Sequence, residues 1–445
     1  MQYYDKRGKI EQMERNKIKE LILEYRERFT SRDDSLIPRE IQKTIQSYLS
    51  SKEILFITGT RRGGKSSLMK LICADLIKDK HIPLTNILYL NFEDERFIEF
   101  KVSDFNLIYE VFLEENAPNK KSYFFLDEIQ NIPEWEKWVN RLYEMHQIKI
   151  FITGSNRKLL NSEVASTLTG RNRVITNFPF SFREFLQYKK IKHVNSSLYI
   201  TEERTKIKNT FQEYLKLGGY PEVIKSNDPT LLEQYFKDFI YRDILPRYTI
   251  RKNKALRELC LFLASNIATI HSYKKLQQLV EAKSLNTIKH FLEIFEEVYL
   301  FFQVDLFDYS IKRQIYNPSK IYTIDTALSQ SVSFQFSKNI GHIYENLVFL
   351  ELKRKNKELY YWKDEKGREV DLIIRSGREI VEMIQVCYNL SNPNTRNCEI
   401  QALIKGHQAL KNPKLTLITD DEEDTYQSGN ISINMIPLWK WLIKD

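Results

Sequence analysis

Residues Gly59-Thr60-Arg61-Arg62-Gly63-Gly64-Lys65-Ser66, followed by Ser67, restrict this chain more than any other segment, because they fit the spacing G-x-x-x-x-G-K-[ST]. An apolar run, Ile54 to Ile57, precedes them, and Leu68, Leu71 and Ile72 follow at helical spacing. The segment therefore reads as the turn between a buried strand and a helix. Glycines at 59, 63 and 64 let the backbone curl so that successive N–H groups point inward, and a helix N-terminus adds about half a positive charge. Both favour an anion, and a nucleoside triphosphate explains the whole arrangement. Lys65 is then expected at the outer phosphates and the Ser66 hydroxyl on Mg2+. The plainer alternative is a Gly-rich turn with a surface lysine. With 13 glycines among 445 residues, a chance match at every fixed position is rare.

A second signature lies downstream. Tyr123, Phe124, Phe125 and Leu126 form an apolar strand that ends in Asp127 and Glu128. An aspartate there can hold the Mg2+ shell, and the adjacent glutamate can orient and deprotonate an attacking water. A strand over 86–92 separates the two signatures, and this order suggests a nucleoside triphosphatase with a catalytic glutamate. Next come a helix with Trp135, Trp138, Val139, Leu142 and Met145 on one face, a strand over 148–152, and Thr153-Gly154-Ser155-Asn156. Ser155 or Asn156 is expected to sense the γ-phosphate or the water, although ordinary loop chemistry gives the same residues. A fifth strand covers 173–177. Arg171 and Arg173 are candidates for neutralising transition-state charge, and Arg39 for a place near the nucleotide base.

The order GTRRGGKSS, LDEIQNIPEWEKW, FITGSN, LTGR, FPFSFREFL and GGYPEV resembles the prokaryotic AAA-type ATPases related to the STAND class. The resemblance covers 36–445 and implies an α/β chain. A P-loop parallel sheet with helices on both faces would span 36–180, a helical lid 181–250, a winged-helix-like domain 251–335 and a restriction-endonuclease-like domain 336–445. ATP and Mg2+ are the implied cofactors. Gly59, Thr60, Arg61, Arg62, Gly63, Gly64, Lys65, Ser66, Ser67, Asp127 and Arg39 would bind the nucleotide, and Ser66 and Asp127 the metal. Glu128, Lys65, Arg171, Ser155 and Asn156 would serve catalysis. Gly218, Gly219 and Pro221 are similar to an element through which a following domain senses the nucleotide, although Gly-Gly-Tyr-Pro also reads as a simple turn. Arg242 and Asp243 are spaced like a helix-end pair that bridges ATPase and lid.

Leu256, Leu259 and Leu263, then Leu276 and Leu279, then Ile288, Phe291, Leu292 and Phe295 with Ser284 as N-cap, give three helices, and 298–305 and 314–322 read as strands. A winged helix contains such elements and would present Lys283, Asn286, Lys289 and His290 to duplex DNA. Residues 251–320 carry 11 basic and 7 acidic residues, a weak charge signal that an internal switch domain would share. In 336–445, nuclease chemistry needs Asp on one strand and Glu-x-Lys on the next. Asp371 is present and Glu345 stands on the preceding helix, but the Glu-x-Lys position reads Gln385-Val386-Cys387. Glu382 lies three positions away, on the other face of its strand. This domain is expected to be catalytically silent. The alternatives are an ATP-dependent Mg2+ DNA nuclease and a scaffold that binds ATP with little turnover.

Sixty-eight basic against 59 acidic residues give a net charge of +9, compatible with a polyanion without requiring one. Residues 1–35 read as a charged, solvated helix or an arm for a partner. No apolar run approaches the ~18 residues that cross a bilayer, so no membrane is expected and the cytoplasm is the default. Cys73, Cys260, Cys387 and Cys398 fall at no zinc-binding spacing. The acidic run 420–424 reads as a solvated loop. A second copy of the chain, forming a homo-oligomer, stays open as a partner.

Overall fold

The computed structural model describes residues 2–31, 33, 35–116, 121–145, 147–155, 157, 168, 170–192, 200–248, 253–333 and 340–444, with side chains from 14 onward except at Asn253. The chain divides into two compact units, Met1–Asn177 and Phe178–Asp445.

In the first unit, β1 (Ile54–Thr58), β2 (Ile87–Asn91), β3 (Ser122–Asp127), β4 (Ile148–Gly154) and β5 (Asn172–Thr176) form a parallel sheet in the order β2-β3-β4-β1-β5. A parallel sheet is covered on both faces, so its central strands are apolar throughout. Successive side chains alternate between faces. Ile54 and Phe56 enter one core with Phe124, Leu126, Ile150 and Ile152, whereas Leu55 and Ile57 enter another with Phe125 and Phe151. Helices Phe105–Asn116 and Trp135–Glu144 cover the first face, and Lys65–Lys80 and Gln42–Ser47 the second. The α/β class is as expected. Met145 lies just past its helix and is exposed.

The N-terminal stretch departs from expectation. Helix Gln2–Thr30 places Leu21, Ile22 and Tyr25 in the first core and Phe29 in the second. It lies against β2, the edge strand, whose open hydrogen-bonding groups would otherwise be a template for pairing with another chain. Two of its basic residues are engaged locally: Arg15 is 2.7 Å from Glu110 and 2.8 Å from Glu114, and Lys19 is 2.7 Å from Glu115.

The second unit opens with Ser181 capping helix Phe182–Tyr188, its hydroxyl accepting from Glu184 N while the Glu184 carboxylate accepts from Ser181 N. Helices Thr201–Leu217, Pro221–Ser226 and Thr230–Asp238 follow. Between the first two, Gly218 has φ +69° and an added Cβ would stand 2.4 Å from Asp325 Oδ1. Gly219 N donates to Asp325 Oδ2 at 2.7 Å. Gly218 is thus required by a buried carboxylate that the sequence did not flag, and Gly219 by the Phe180 carbonyl, 2.5 Å from where its Cβ would stand. Arg242 lies 3.4 Å from Asp238 and Arg247 lies 3.7 Å from Asp243, ion pairs one helical turn apart.

Helix Asn253–Ser265, β6 (Thr269–His271), helices Tyr273–Leu279 and Leu285–Glu297, β7 (Phe301–Val304) and β8 (Ser319–Thr323) come next, the strands forming an antiparallel sheet in the order β6-β8-β7. Ser284 caps the third helix, accepting from Thr287 N. The strand expected over 314–322 is shorter, because Ser310 caps a turn of helix, Ile311–Tyr316. Helix Ile340–Arg354 leads to β9 (Glu358–Lys363), β10 (Glu369–Ser376) and β11 (Glu379–Val386), then helix Pro393–Ala409, β12 (Lys414–Thr419), β13 (Asp424–Ser428), β14 (Ile431–Pro437) and helix Leu438–Ile443. The sheet order is β13-β14-β12-β11-β10-β9, with β9 to β11 antiparallel and β11, β12 and β14 parallel. The acidic run ends at Asp424, the first residue of the β13–β14 hairpin, which the sequence reading missed.

Phe29 stacks on Tyr89, centroids 3.9 Å apart, and is fully enclosed. Phe29→Ala should cost roughly 3–5 kcal/mol of stability, measured by denaturant unfolding; a solvated helix would lose almost nothing.

Candidate functional site

Because all five strands run parallel, their carboxyl ends share one edge, and an open α/β sheet binds ligands there. The P-loop leaves β1 at this edge. Gly59 has φ +143°, and a Cβ on it would stand 2.2 Å from Asn177 O, so only glycine fits. Asn177 also donates from Nδ2 to Gly63 O at 2.8 Å and from its backbone N to Thr58 O at 2.7 Å, which holds both ends of the loop. Gly64, in the left-handed region at φ +89°, starts helix Lys65–Lys80. Thr60 is buried, Arg61 is 2.8 Å from Glu93, and Arg62 adopts φ +60°. Arg39 is buried beside the loop, with Nη1 3.4 Å from Gly63 O. Ser67 follows Ser66 in the first turn of the helix.

The acidic strand end lies two strands away in the order β3-β4-β1. Asp127 is buried and accepts hydrogen bonds from the hydroxyls of Thr153 and Tyr89, the latter at 2.9 Å, with the Ser66 hydroxyl favouring its charged form. Burial pushes its carboxyl above the usual range, and the Ser66, Thr153 and Tyr89 hydroxyls oppose that shift. Glu128 turns out of the strand at φ +52°, a left-handed conformation that a non-glycine residue adopts at a cost. Its N–H donates to Thr153 Oγ1 at 3.0 Å, its Oε2 accepts from Gln130, and its Oε1 is 3.4 Å from Lys65 Nζ. Lys65 Nζ also donates to Gly59 O and Thr60 O, each at 3.3 Å.

The structure therefore gathers Lys65, Ser66, Asp127, Glu128 and Arg39 into one group. Ser155 is buried just beyond β4, at the same edge. Asn156 lies outside the described residues. Arg171 is not part of the group. It precedes β5, and its carbonyl accepts from Ile54 N at the amino edge of the sheet, roughly 13 Å of strand from the P-loop. It is 2.7 Å from Glu144 and its guanidinium lies 5.2 Å from the Tyr143 ring, and Arg173 is at the same edge, 3.4 Å from Glu53. Neither arginine reaches this chain's own site. Three contributors went unrecognised in the sequence: Thr153, Tyr89 and Asn177. The pairing Leu126↔Ile152 puts Thr153 abreast of Asp127, so its place as the next residue of an adjacent parallel strand was the available signal.

The residues fit a nucleoside triphosphate with Mg2+. The loop is glycine where a Cβ would collide, it opens a helix N-terminus, and a hydroxyl and a carboxylate of the kind Mg2+ takes, Ser66 and Asp127, are neighbours at the same strand edge. Among the described residues, no helix is long and apolar enough to cross a membrane, and no cluster of three or more His, Cys, Asp or Glu is placed to hold a metal.

Residues 51–186 match the family described as AAA domain, and 208–339 and 340–441 match two domains of unknown function, DUF8612 and DUF4143. In the solved structures, the Aeropyrum pernix ORC1 protein in complex with DNA aligns with 69% of this chain and 95% of its own at 9% identity and a TM-score of 0.30. Caenorhabditis elegans PCH-2 aligns with 60% of this chain and 72% of its own at 16% identity and a TM-score of 0.31. Two curated proteins are much nearer. One, from Haemophilus influenzae and named Uncharacterized protein, is 30% identical over 417 residues, 91% of this chain and 98% of its own. The other, Uncharacterized protein MJ1544 of Methanocaldococcus jannaschii, is 37% identical over 421 residues, 90% of each chain. Identity at that level along almost the full length of both shows common membership: this chain, with its AAA domain at 51–186, belongs to the same protein family as MJ1544.

Proposed function

We propose that this chain binds ATP with Mg2+, hydrolyses it, and uses the state of that site to switch the arrangement of the segments that follow. The observation that carries the reading is the convergence of Ser66 on Asp127 and of Lys65 on Glu128 at the carboxyl edge of the parallel sheet. Lys65 supplies positive charge to the outer phosphates. Ser66 and Asp127 hold the metal, which neutralises charge on the phosphate oxygens. Glu128 takes the proton of the attacking water. Thr153 fixes the two acids relative to one another by donating to Asp127 and accepting from Glu128 N–H.

The remaining domains are read by topology. Helix, strand, two helices and two strands, with β8 between β6 and β7, support a winged-helix reading of 251–335. Helix, three antiparallel strands, helix and a parallel strand support a restriction-endonuclease-like reading of 336–445. ATPase core at 36–180 and lid at 181–250 complete the division, and the grip of Asp325 on Gly218-Gly219 supports a role for that turn in passing the nucleotide state onward. Duplex DNA is the second reading of 251–335. Lys283, Asn286, Lys289 and His290 are all exposed at or near the start of helix Leu285–Glu297 and favour it.

Lys65→Ala should abolish ATP binding, whereas Glu128→Gln should keep binding and lower turnover by roughly 10²-fold or more, read by equilibrium binding beside phosphate release. Wild-type turnover in Glu128→Gln would remove the general base from the scheme. Thr153→Val keeps shape but leaves Glu128 N–H and Asp127 each short of a partner. It should cost about 1–3 kcal/mol of stability and also slow turnover. For DNA, the Lys283→Glu/Lys289→Glu protein should bind duplex much more weakly and with a shallower salt dependence, each lost phosphate contact removing about 0.9 from the log–log slope. Its basal ATP turnover should be unchanged. Altered basal turnover with unchanged DNA affinity would instead favour the internal-switch role.

A further inference from the structure

Lys320, on β8, is among the most enclosed charged side chains of the molecule, at 2% exposure. Its ammonium lies 2.9 Å from Glu345 Oε1, 2.7 Å from Glu369 Oε1 and 2.9 Å from Asp371 Oδ1. An ammonium has three N–H groups, and here hydrogen bonds run to Glu345 and Asp371, with Glu369 beside it as a third ion pair. Those acids belong to other elements: Glu345 to helix Ile340–Arg354, and Glu369 and Asp371 to β10. Surrounding bonds fix them. Tyr322 OH donates to Glu345 Oε1 at 2.6 Å, Val386 N to Asp371 Oδ2 at 2.9 Å, and Asp371 N to the Gln385 amide oxygen at 3.1 Å. The other end of that amide donates to Glu399 at 2.6 Å.

Asp371 and Glu345 are the acids that a nuclease-like reading of 336–445 would assign to Mg2+, and the residues do not fit a metal. Mg2+ sits about 2.1 Å from its oxygens in near-octahedral geometry. A point bridging the same three oxygens is already filled by Lys320 Nζ, so ammonium and metal exclude one another. Gln385 adds no anionic ligand, and its carbonyl oxygen is engaged by Asp371 N–H. Burying an ammonium is costly unless carboxylates meet it, and removing one member of such a group is more costly still.

We infer that Lys320 is a resident cation: it occupies the place a divalent metal would take among Glu345, Glu369 and Asp371, closes that site to metals, and fastens β8 to helix Ile340–Arg354 and β10. The inference is independent of the ATP reading, and its test uses no nucleotide. Mn2+ uptake by the full chain is followed by electron paramagnetic resonance, beside thermal unfolding with and without Mn2+. Wild type and Asp371→Asn should give the same Mn2+ isotherm, because the site takes none. Lys320→Met should unfold at a lower temperature, recover part of the loss in Mn2+, and bind one more Mn2+ per chain than wild type; adding Asp371→Asn should remove that extra ion. Should Lys320→Met fail to fold, the triple variant Lys320→Met/Glu345→Gln/Asp371→Asn, which removes the two most buried acids with the ammonium and leaves Glu369 its pair with Lys363 at 3.5 Å, should fold and stay blind to Mn2+. Wild-type Mn2+ binding that Asp371→Asn abolishes would overturn the inference and favour a metal-dependent nuclease. So would a Lys320→Met protein with unchanged melting temperature and no metal uptake, or a triple variant that fails to fold where Lys320→Met alone does.

Discussion

The first unit is organised around one buried carboxylate. Asp127 sits at the end of β3 with Thr153 of β4 and Tyr89 of β2 donating to it and Ser66 of the P-loop helix beside it. A buried carboxylate without such donors would be strongly disfavoured, so strand order and side-chain chemistry constrain one another here. The register that stacks β2, β3 and β4 brings the Tyr89 and Thr153 hydroxyls within reach. Tyr89 extends the chain of contacts outward, since its ring stacks on Phe29 and meets Tyr25 edge-on. The N-terminal helix thereby braces the element that holds the acid.

Much of this was legible in the sequence because it depends on short, fixed spacings. The glycines of 59–64, Lys65 and the apolar strand before Asp127 need only local geometry, and they fall where expected. Contacts set by register did not show. Thr153 reads as part of an ordinary loop until β4 is laid beside β3, and Asn177 matters only because β5 lies beside β1. Arg171 was misplaced for the converse reason: in an all-parallel sheet the residue before a strand lies at the edge away from the P-loop. The N-terminal helix looked solvated because Leu21, Ile22, Tyr25 and Phe29, which enter the cores, stand among many charges.

The second unit shows the same division. Ser284 and the helices around it follow from capping and periodicity. Lys320 does not, since it meets Glu345 and Asp371 at separations of 25 and 51 residues. In the sequence Ser-Lys-Ile-Tyr-Thr it looks like a surface charge on a strand. Its burial among three acids on two other elements shows only once β8, helix Ile340–Arg354 and β10 are brought together.

The central claim is that the P-loop and the β3 strand end form one ATP·Mg2+ site, and Mn2+ substituted for Mg2+ tests it most directly. With ATP present, the paramagnetic resonance signal of free Mn2+ should fall on adding the wild-type chain and remain high on adding Asp127→Asn, because that ion would have lost the Asp127 carboxylate. Equal uptake of Mn2+ by both proteins in the presence of ATP would contradict the account.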